Sequence, residues 1–320
     1  MNIAFFEVDE WQRDYLKRSF PDASYDDGPL TVANAARHAD VEIAAIRTYT
    51  KTDDALLAAL PRLKLILSMT TGTDHLDLDA CKRRGIIVCN VTGYSDAAVA
   101  EHAFALLLAI AKNILPSAVK TRGDARSGGR IQGFELNGKT LGIVGCGAIG
   151  LHAAKIAKGF GMTVLVYDVV RHDGWAEEHG FSYVPLDDLL ATAEVITLHV
   201  PLNRHTRGLI GGDAFRKMRR DAVLINTSRG EVVDTDALLA ALDSRKLKGA
   251  GLDVIDSENF IADHEPSETE RRLCAFSNVV VTPHNAYNSV EALARRLDST
   301  VANIHAFSEK GASGLKDRIA

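Results

Sequence analysis

The stretch KTLGIVGCGAIGLHAAKIAKGFGMTVLVYD, from Lys139 to Asp168, constrains the fold more than any other part of this sequence. A strand pattern leads into G-x-G-x-x-G, helical periodicity follows, and a second strand pattern ends in an acid. This order is typical of a βαβ unit that binds a dinucleotide, because the glycines allow a tight turn, close approach to a diphosphate and close packing of helix on strand. The residues predicted to form this part of the site are Gly145, Gly147, Ala148, Ile149, Gly150 and Asp168.

The acid at the end of the second strand discriminates between two related cofactors. Asp168 follows the glycines at about the expected 20 residues, so it can accept hydrogen bonds from the adenosine ribose hydroxyls. Its charge would repel a 2′-phosphate. The sequence therefore predicts NAD, and Arg171 lies close enough to Asp168 to keep NADP as an alternative.

Strand-like and helical patterns alternate along nearly the whole chain. The strand patterns are NIAFFEV, VEIAAIR, LKLILSM and IIVCNV before the dinucleotide unit, and AEVITLHVP, AVLINTS, GAGLDVI and NVVVTPH after it. A long helix over about residues 96–114 and a polar, glycine-rich connector separate the two sets, and one more helix closes the chain. Such alternation predicts an α/β protein with two Rossmann-like, doubly wound parallel-sheet domains.

The late position of the dinucleotide unit predicts how the two domains share the chain. Residues 95–288 are expected to form the NAD-binding Rossmann domain. Residues 1–94 and 289–320 are expected to form a discontinuous substrate domain, which the last helix completes. The chain would pass between the two domains near Tyr94 and near His284, these passages would act as a hinge, and closure would exclude water from the bound cofactor.

Composition limits the classes of partner. The chain of 320 residues is 46% hydrophobic and 25% charged, with a net charge of -5 and a pI near 6.1. This balance indicates neither a nucleic acid nor an anionic membrane as partner. The start has no signal-peptide pattern, the most apolar run (AFALLLAIA) is too short for a bilayer, and the four cysteines have no metal-like spacing. We therefore expect a cytoplasmic protein without a metal.

Polar residues follow three of the predicted strands. Because ligands of open α/β sheets bind beyond the carboxyl ends of the strands, an arginine, a carboxylate and a histidine are expected to converge beside the nicotinamide. The residues at these strand ends are Thr227, Ser228 and Arg229 in VLINTSRGEVVD, Asp253 and Glu258 in GAGLDVIDSEN, and His284 in NVVVTPHNAYNS.

These motifs together resemble the D-2-hydroxyacid dehydrogenase family, whose members carry NTSRG..VD, G..LDV...E and TPH in this order. The resemblance covers essentially the whole chain. TTGTDHLDL, CNVTGYSDAAVAEHAFALLLA and TPHNAYNS are most similar to the D-lactate dehydrogenase branch. The resemblance implies reversible, NAD-dependent hydride transfer to a small 2-oxo acid, with pyruvate and D-lactate as the foremost pair.

The resemblance also implies roles for single residues. Arg229 matches the arginine that grips the substrate carboxylate and carbonyl, His284 the general acid/base, and Glu258 the carboxylate that orients and charges that histidine. Residues at substrate-contact positions are Thr71, Gly72, Tyr94 and Tyr287. Further residues at cofactor-lining positions are Val200, Pro201, Thr206, Thr227, Ser228 and Asp253.

Three departures from the branch leave the substrate open. Thr70 stands where many D-lactate enzymes have an arginine, Asn259 replaces a proline, and Tyr287 replaces a common phenylalanine. The alternatives are a glyoxylate, hydroxypyruvate, branched 2-oxo acid or phosphoglycerate enzyme on the same scaffold. A different class of alternative is a non-catalytic, NAD-sensing corepressor-like protein.

The composition of the long helix predicts a second copy of the chain as a partner. In AAVAEHAFALLLAIAKNI, apolar residues occupy almost every side, more than one core-facing stripe can bury. Together with the family resemblance, this pattern predicts a two-fold homodimer through this region.

Overall fold

The computed structural model of the protein describes residues 1–122, 131–256 and 265–320. It divides into two compact units, Met1–Ser95 with Ser289–Ala320, and Asp96–Asn288. The first unit contains a five-stranded sheet and the second a seven-stranded sheet, and the paired strands of both are parallel. The predicted α/β class with two parallel-sheet domains is thereby confirmed.

The first unit has the strand order β2-β1-β3-β4-β5. Its strands are β1 (Ile3–Phe5), β2 (Ser24–Tyr25), β3 (Ile43–Ile46), β4 (Leu65–Ser68) and β5 (Ile87–Asn90). Its helices are α1 (Glu10–Lys17), α2 (Val32–Ala35), α3 (Asp54–Ala58), α4 (Leu78–Arg83) and, after the second unit, α13 (Val290–Lys310). Phe6, Ile46, Leu57 and Ile66 belong to the apolar core that the sheet shares with its helices.

The second unit has the strand order β12-β11-β10-β9-β6-β7-β8. Its strands are β6 (Thr140–Val144), β7 (Thr163–Tyr167), β8 (Ser182–Tyr183), β9 (Val195–Leu198), β10 (Ala222–Asn226), β11 (Leu247–Leu252) and β12 (Val279–Val281). Its helices are α5 (Asp96–Ala111), α6 (Ile114–Arg122), α7 (Ala148–Gly159), α8 (Asp173–His179), α9 (Leu186–Thr192), α10 (Gly212–Lys217), α11 (Thr235–Asp243) and α12 (Glu268–Ala275). The strand order reverses between β6 and β9, and this switch point is where open α/β sheets bind ligands.

The predicted long helix is two helices. α5 ends at Ala111, and α6 runs at 60° to it. Asn113 between them has φ +50°, a left-handed conformation through which an α-helix cannot continue. Within the described residues no single helix is long and apolar enough to cross a membrane, and α5 and α6 pass such a test only when their lengths are joined across this bend.

Candidate active site

The turn between β6 and α7 has the shape that the glycine pattern predicts. Gly145 has φ +94°, and a Cβ there would lie 2.7 Å from the carbonyl oxygen of His199. A Cβ on Gly150 would lie 2.2 Å from the Gly145 oxygen, so both positions require glycine. Space around Gly147 is open, and α7 begins directly after it at Ala148. The free N–H groups of the first turn of α7 therefore suit a diphosphate.

Asp168 directly follows β7 and is tied to the glycine turn. Its Oδ2 accepts the N–H of Cys146 at 2.6 Å, and its Oδ1 accepts the N–H of Val170 at 2.9 Å. A cavity of about 260 Å³ borders the carboxylate. Its lining consists of Tyr167, Asp168, Arg171, Tyr183, Val184 and Pro185. Sequence reasoning missed the contribution of β8 to this cavity, because the order of strands in a sheet is not written in local patterns.

The position of Asp168 predicts cofactor preference. NADH should exceed NADPH in kcat/KM by at least about tenfold, because the carboxylate accepts ribose hydroxyls and repels a 2′-phosphate. Asp168→Ser should narrow that ratio, while Asp188→Ser, which removes an exposed acid of α9, should not change it. Equal use of both cofactors by the unaltered protein would contradict the role given to Asp168.

Two polar atoms at neighbouring strand ends lack partners among the described residues. They are Nδ1 of His199, directly after β9, and the hydroxyl of Thr227, directly after β10. Burial lowers the pKa of His199 to about 4, so its ring is neutral near pH 7. A neutral ring has one donor and one acceptor, and Nε2 already lies 3.0 Å from the hydroxyl of Thr197. Buried polar atoms without a partner are expected where a ligand supplies one, so these residues fit a dinucleotide.

The segment after β9 lies beside the glycine turn. The side chain of Val200 lies 2.8 Å from where a Cβ on Gly145 would be. Thr206 donates its hydroxyl to the carbonyl oxygen of Pro201 at 2.6 Å, which closes the loop between them. His199 could have been found by the rule that singled out the other strand-end residues, since it follows β9 directly.

The turn after β10 positions Arg229. Asn226 is 1% exposed, and its Oδ1 accepts both the N–H and the hydroxyl of Ser228, at 3.0 and 2.8 Å. Its Nδ2 donates to the carbonyl oxygen of Arg229 at 2.9 Å. A Cβ on Gly230 would lie 2.0 Å from the carbonyl carbon of Ile255, so glycine lets the turns after β10 and β11 meet. The arginine backbone is thus held at the carboxyl edge of the sheet.

The ends of β11 and β12 are joined through Asp253. Its buried carboxylate accepts the hydroxyl of Thr282 at 2.6 Å and the N–H groups of Asn285 and Ala286, each at 2.8 Å. Its carbonyl oxygen accepts the N–H of His284 at 2.8 Å. His284 has φ +49°, which is uncommon for any residue except glycine. Asp253 therefore anchors the segment that holds His284 in this conformation.

Not every predicted site residue can be placed. Glu258 and Asn259 lie outside the described residues, so their predicted roles stay predictions. The Asp253 carboxylate accepts hydrogen bonds from Thr282 and Asn285, and its predicted contact with the cofactor also stays a prediction. Tyr287 lies close to the histidine, with its ring centroid 6.1 Å from that of His284 and the rings at 76°.

In the first unit, Thr71 and Gly72 form a turn after β4. The hydroxyl of Thr70 donates to the carbonyl oxygen of Gly72 at 2.7 Å, and Nδ2 of Asn90 donates to that of Thr71 at 2.8 Å. Thr70 therefore supports the turn itself. Contact of this turn with a substrate stays a prediction.

Helix α13 holds Tyr94 in the same unit. Arg295 donates its Nε–H to the carbonyl oxygen of Tyr94 at 2.9 Å. The guanidinium of Arg296, which is 1% exposed, lies 5.9 Å from the centre of the tyrosine ring. Two successive arginines thus fix the backbone and the ring of this residue.

Comparison with known proteins identifies relatives over most of the chain. Residues 104–286 match the family model described as D-isomer specific 2-hydroxyacid dehydrogenase, NAD binding domain. Glyoxylate reductase of Korarchaeum cryptofilum is 38% identical over 80% of this chain and 76% of its own. Glycerate dehydrogenase of Methylorubrum extorquens is 40% identical over 83% and 82%. The crystal structure of D-lactate dehydrogenase from Aquifex aeolicus with NAD and lactic acid matches with a TM-score of 0.90 and 34% identity, over 98% of this chain and 97% of that one.

Proposed function

Because this chain belongs to the D-isomer-specific 2-hydroxyacid dehydrogenase family, we propose that it interconverts a small 2-oxo acid and its D-2-hydroxy acid, with pyruvate as the preferred oxo acid. The protein is an oxidoreductase and its cofactor is NAD. One observation carries the proposal. Arg229 after β10 and His284 after β12 lie at the carboxyl edge of the same sheet whose β6 leads into the glycine turn.

The side chains of this edge suit the reduction of a carbonyl group. Bound NADH supplies the hydride. His284 in its protonated form delivers a proton to the oxygen on which negative charge develops. Arg229 presents a planar fork of donors, which pairs with the substrate carboxylate and stabilises the developing charge. Glu258 is expected to favour the charged form of the histidine.

Thr70 bears on the choice of oxo acid. Its hydroxyl is used within the turn at Gly72, and it carries no charge that could pair with a second anionic group of a substrate. A small, singly charged acid such as pyruvate therefore suits this turn better than a phosphorylated one. The similarity to D-lactate dehydrogenase over nearly all of both chains supports the same choice.

A turnover assay with NADH and a panel of oxo acids tests the proposal. Pyruvate should give a higher kcat/KM than glyoxylate, hydroxypyruvate or 3-phosphohydroxypyruvate, and the product should be the D isomer. Glyoxylate or hydroxypyruvate as the best substrate would place the protein with the reductases and dehydrogenases that its sequence resembles at 38% and 40% identity. No turnover of any 2-oxo acid would refute the proposed activity.

We also propose a homodimer. Among the described residues, the large exposed apolar side chains of these two helices lie on α6 and not on α5, so α6 is the helix that we expect at the interface. Most apolar residues of α5 are buried within their own unit, whereas α6 has no buried residue. Ile114, Leu115 and Val119 of α6 are 51%, 49% and 72% exposed in the described part of the chain. Large exposed apolar side chains on one short helix are typical of a surface that a partner covers.

Light scattering at micromolar concentration should give about twice the chain mass of 34.6 kDa. Val119→Glu should shift the mass towards that of the monomer, because it would bury a charge in the interface. Lys120→Glu, which changes the charge of the next residue but removes no apolar group, should weaken the dimer less. A monomeric mass for the unaltered protein would contradict the proposal.

A further inference from the structure

His102 lies near the middle of α5, a helix whose other inward side chains are apolar, such as Val99, Phe104 and Leu107. Its Nε2 is 3.0 Å from the hydroxyl oxygen of Thr282 and 3.3 Å from Oδ1 of Asp253. The histidine side chain is 22% exposed, and the Asp253 side chain is fully buried. Helix α5 therefore contacts Asp253 and Thr282, the residues that hold the segment 282–286.

The hydrogen bonds around Thr282 determine which ring nitrogen carries a proton. A threonine hydroxyl has one proton, and Thr282 donates it to Oδ1 of Asp253 at 2.6 Å. The contact between the threonine oxygen and Nε2 of His102 is then a hydrogen bond only if Nε2 donates. Oδ1 of Asp253, 3.3 Å from the same nitrogen, can only accept and so also favours a proton on Nε2. His102 thus donates its Nε2 proton towards Thr282 and Asp253.

We propose that His102 is a positioning residue, which acts through Asp253 and Thr282 to hold the segment 282–286 and so to keep His284 in its left-handed backbone conformation. The inference rests on the proposed role of His284 as the proton donor. A left-handed conformation at a residue with a side chain costs free energy and persists only where surrounding contacts impose it. These contacts converge on Asp253, and His102 is the donor to it that lies farthest away in sequence.

The state of the Asp253 carboxyl supports this inference. Burial alone would raise its pKa, but the donors from His102, Thr282, Asn285 and Ala286 outweigh burial and hold its pKa below the ordinary value of an aspartate. The carboxylate that accepts the two backbone N–H groups is therefore ionised under ordinary conditions. Removing the donor of His102 raises that pKa. Protonation of the carboxyl, and release of the segment, would then begin at a less acidic pH.

The test compares His102→Leu, which removes the donor, with His102→Gln, whose amide nitrogen can reach the same position. Glu101→Gln, at the exposed neighbour on α5, is the matched control. Reduction is followed at saturating NADH between about pH 5 and 9, and amide hydrogen exchange is measured at Asn285 and Ala286. The exchange measurement requires no turnover.

His102→Leu should lower kcat by about 10- to 100-fold and should leave the KM for NADH within about twofold. Exchange at Asn285 and Ala286 should rise by about tenfold or more, since their acceptor is weakened. His102→Gln should restore most of the lost kcat and most of the protection from exchange. In a Thr282→Val background, the effect of His102→Leu should shrink, because both residues act on one carboxylate.

Unchanged kcat and unchanged exchange in His102→Leu would overturn the inference. Equal impairment of the leucine and glutamine variants would do so too, since it would mean that packing and not hydrogen bonding is at stake. If the unaltered protein reduces no 2-oxo acid, the proposed function fails. The exchange data then still decide whether His102 holds the segment.

Discussion

Replacing His284 by alanine should lower kcat for reduction by about 10²- to 10⁴-fold at every pH, because the proton donor to the developing alkoxide is lost. His284→Asn should be similarly impaired. Asparagine tolerates positive φ better than alanine, so it preserves the backbone at φ +49° while removing the imidazole. Steady-state kinetics with NADH binding measured in parallel would check this. Binding should remain close to that of the unaltered protein, and a variant with near-normal kcat would contradict the assignment of His284.

Glu258→Gln offers a contrast to the loss of the histidine. Without the negative charge that the resemblance places beside His284, the rate of reduction should fall more at neutral and alkaline pH than at acidic pH. Activity at acidic pH should survive. An equal loss at every pH would show that Glu258 acts by position and not by charge.

Arg229→Lys should lower kcat/KM for the oxo acid by about 10²- to 10³-fold, although the positive charge is kept. A lysine ammonium cannot present the planar pair of donors that matches a carboxylate, so the loss should appear in both kcat and the KM for the oxo acid. The Kd for NADH should change little. Arg220→Lys, at an exposed position after α10, should leave all of these values unchanged.

An equal weakening of NADH binding and oxo-acid use by Arg229→Lys would contradict this assignment, since it would indicate damage to the turn after β10. The structure provides a check on that outcome. The turn is held by Asn226 and by the close approach of Gly230 to Ile255, and neither contact involves the arginine side chain. Arg229→Lys leaves these two contacts in place, although it removes the bond from Nη1 of the arginine to the carbonyl oxygen of Ser228, which is 2.8 Å long.

Much of the site could be predicted because its signals are local. The glycine turn, the acid after β7 and the residues after β10 and β12 all follow from strand patterns with polar residues at their ends. The structure places Gly145, Asp168, Arg229 and His284 at those ends. Their roles in catalysis rest on the family resemblance, and mutation remains the measurement that tests them.

Other features escaped prediction because they depend on distant parts of the chain. His102 and Thr282 are 180 positions apart, and nothing near either residue indicates the other. The end of α5 was missed because Asn113 is tolerated in many helices, and only its left-handed backbone reveals the break. The residues after α13 return to β5, where the N–H of Ile319 donates to the carbonyl oxygen of Val88 at 2.8 Å.

The sequence by itself determined the α/β class, the cofactor-binding turn and the strand ends at which chemistry is expected, because these depend on backbone propensity and on periodicity over a few residues. Tertiary structure alone decided which polar groups are buried and what they contact. Asp253 reads in the sequence as one more acid after a strand, but in the fold its carboxylate is fully buried and collects donors from α5 and from the segment after β12. A buried charge persists only with such partners, and only the packing of distant elements can bring them together.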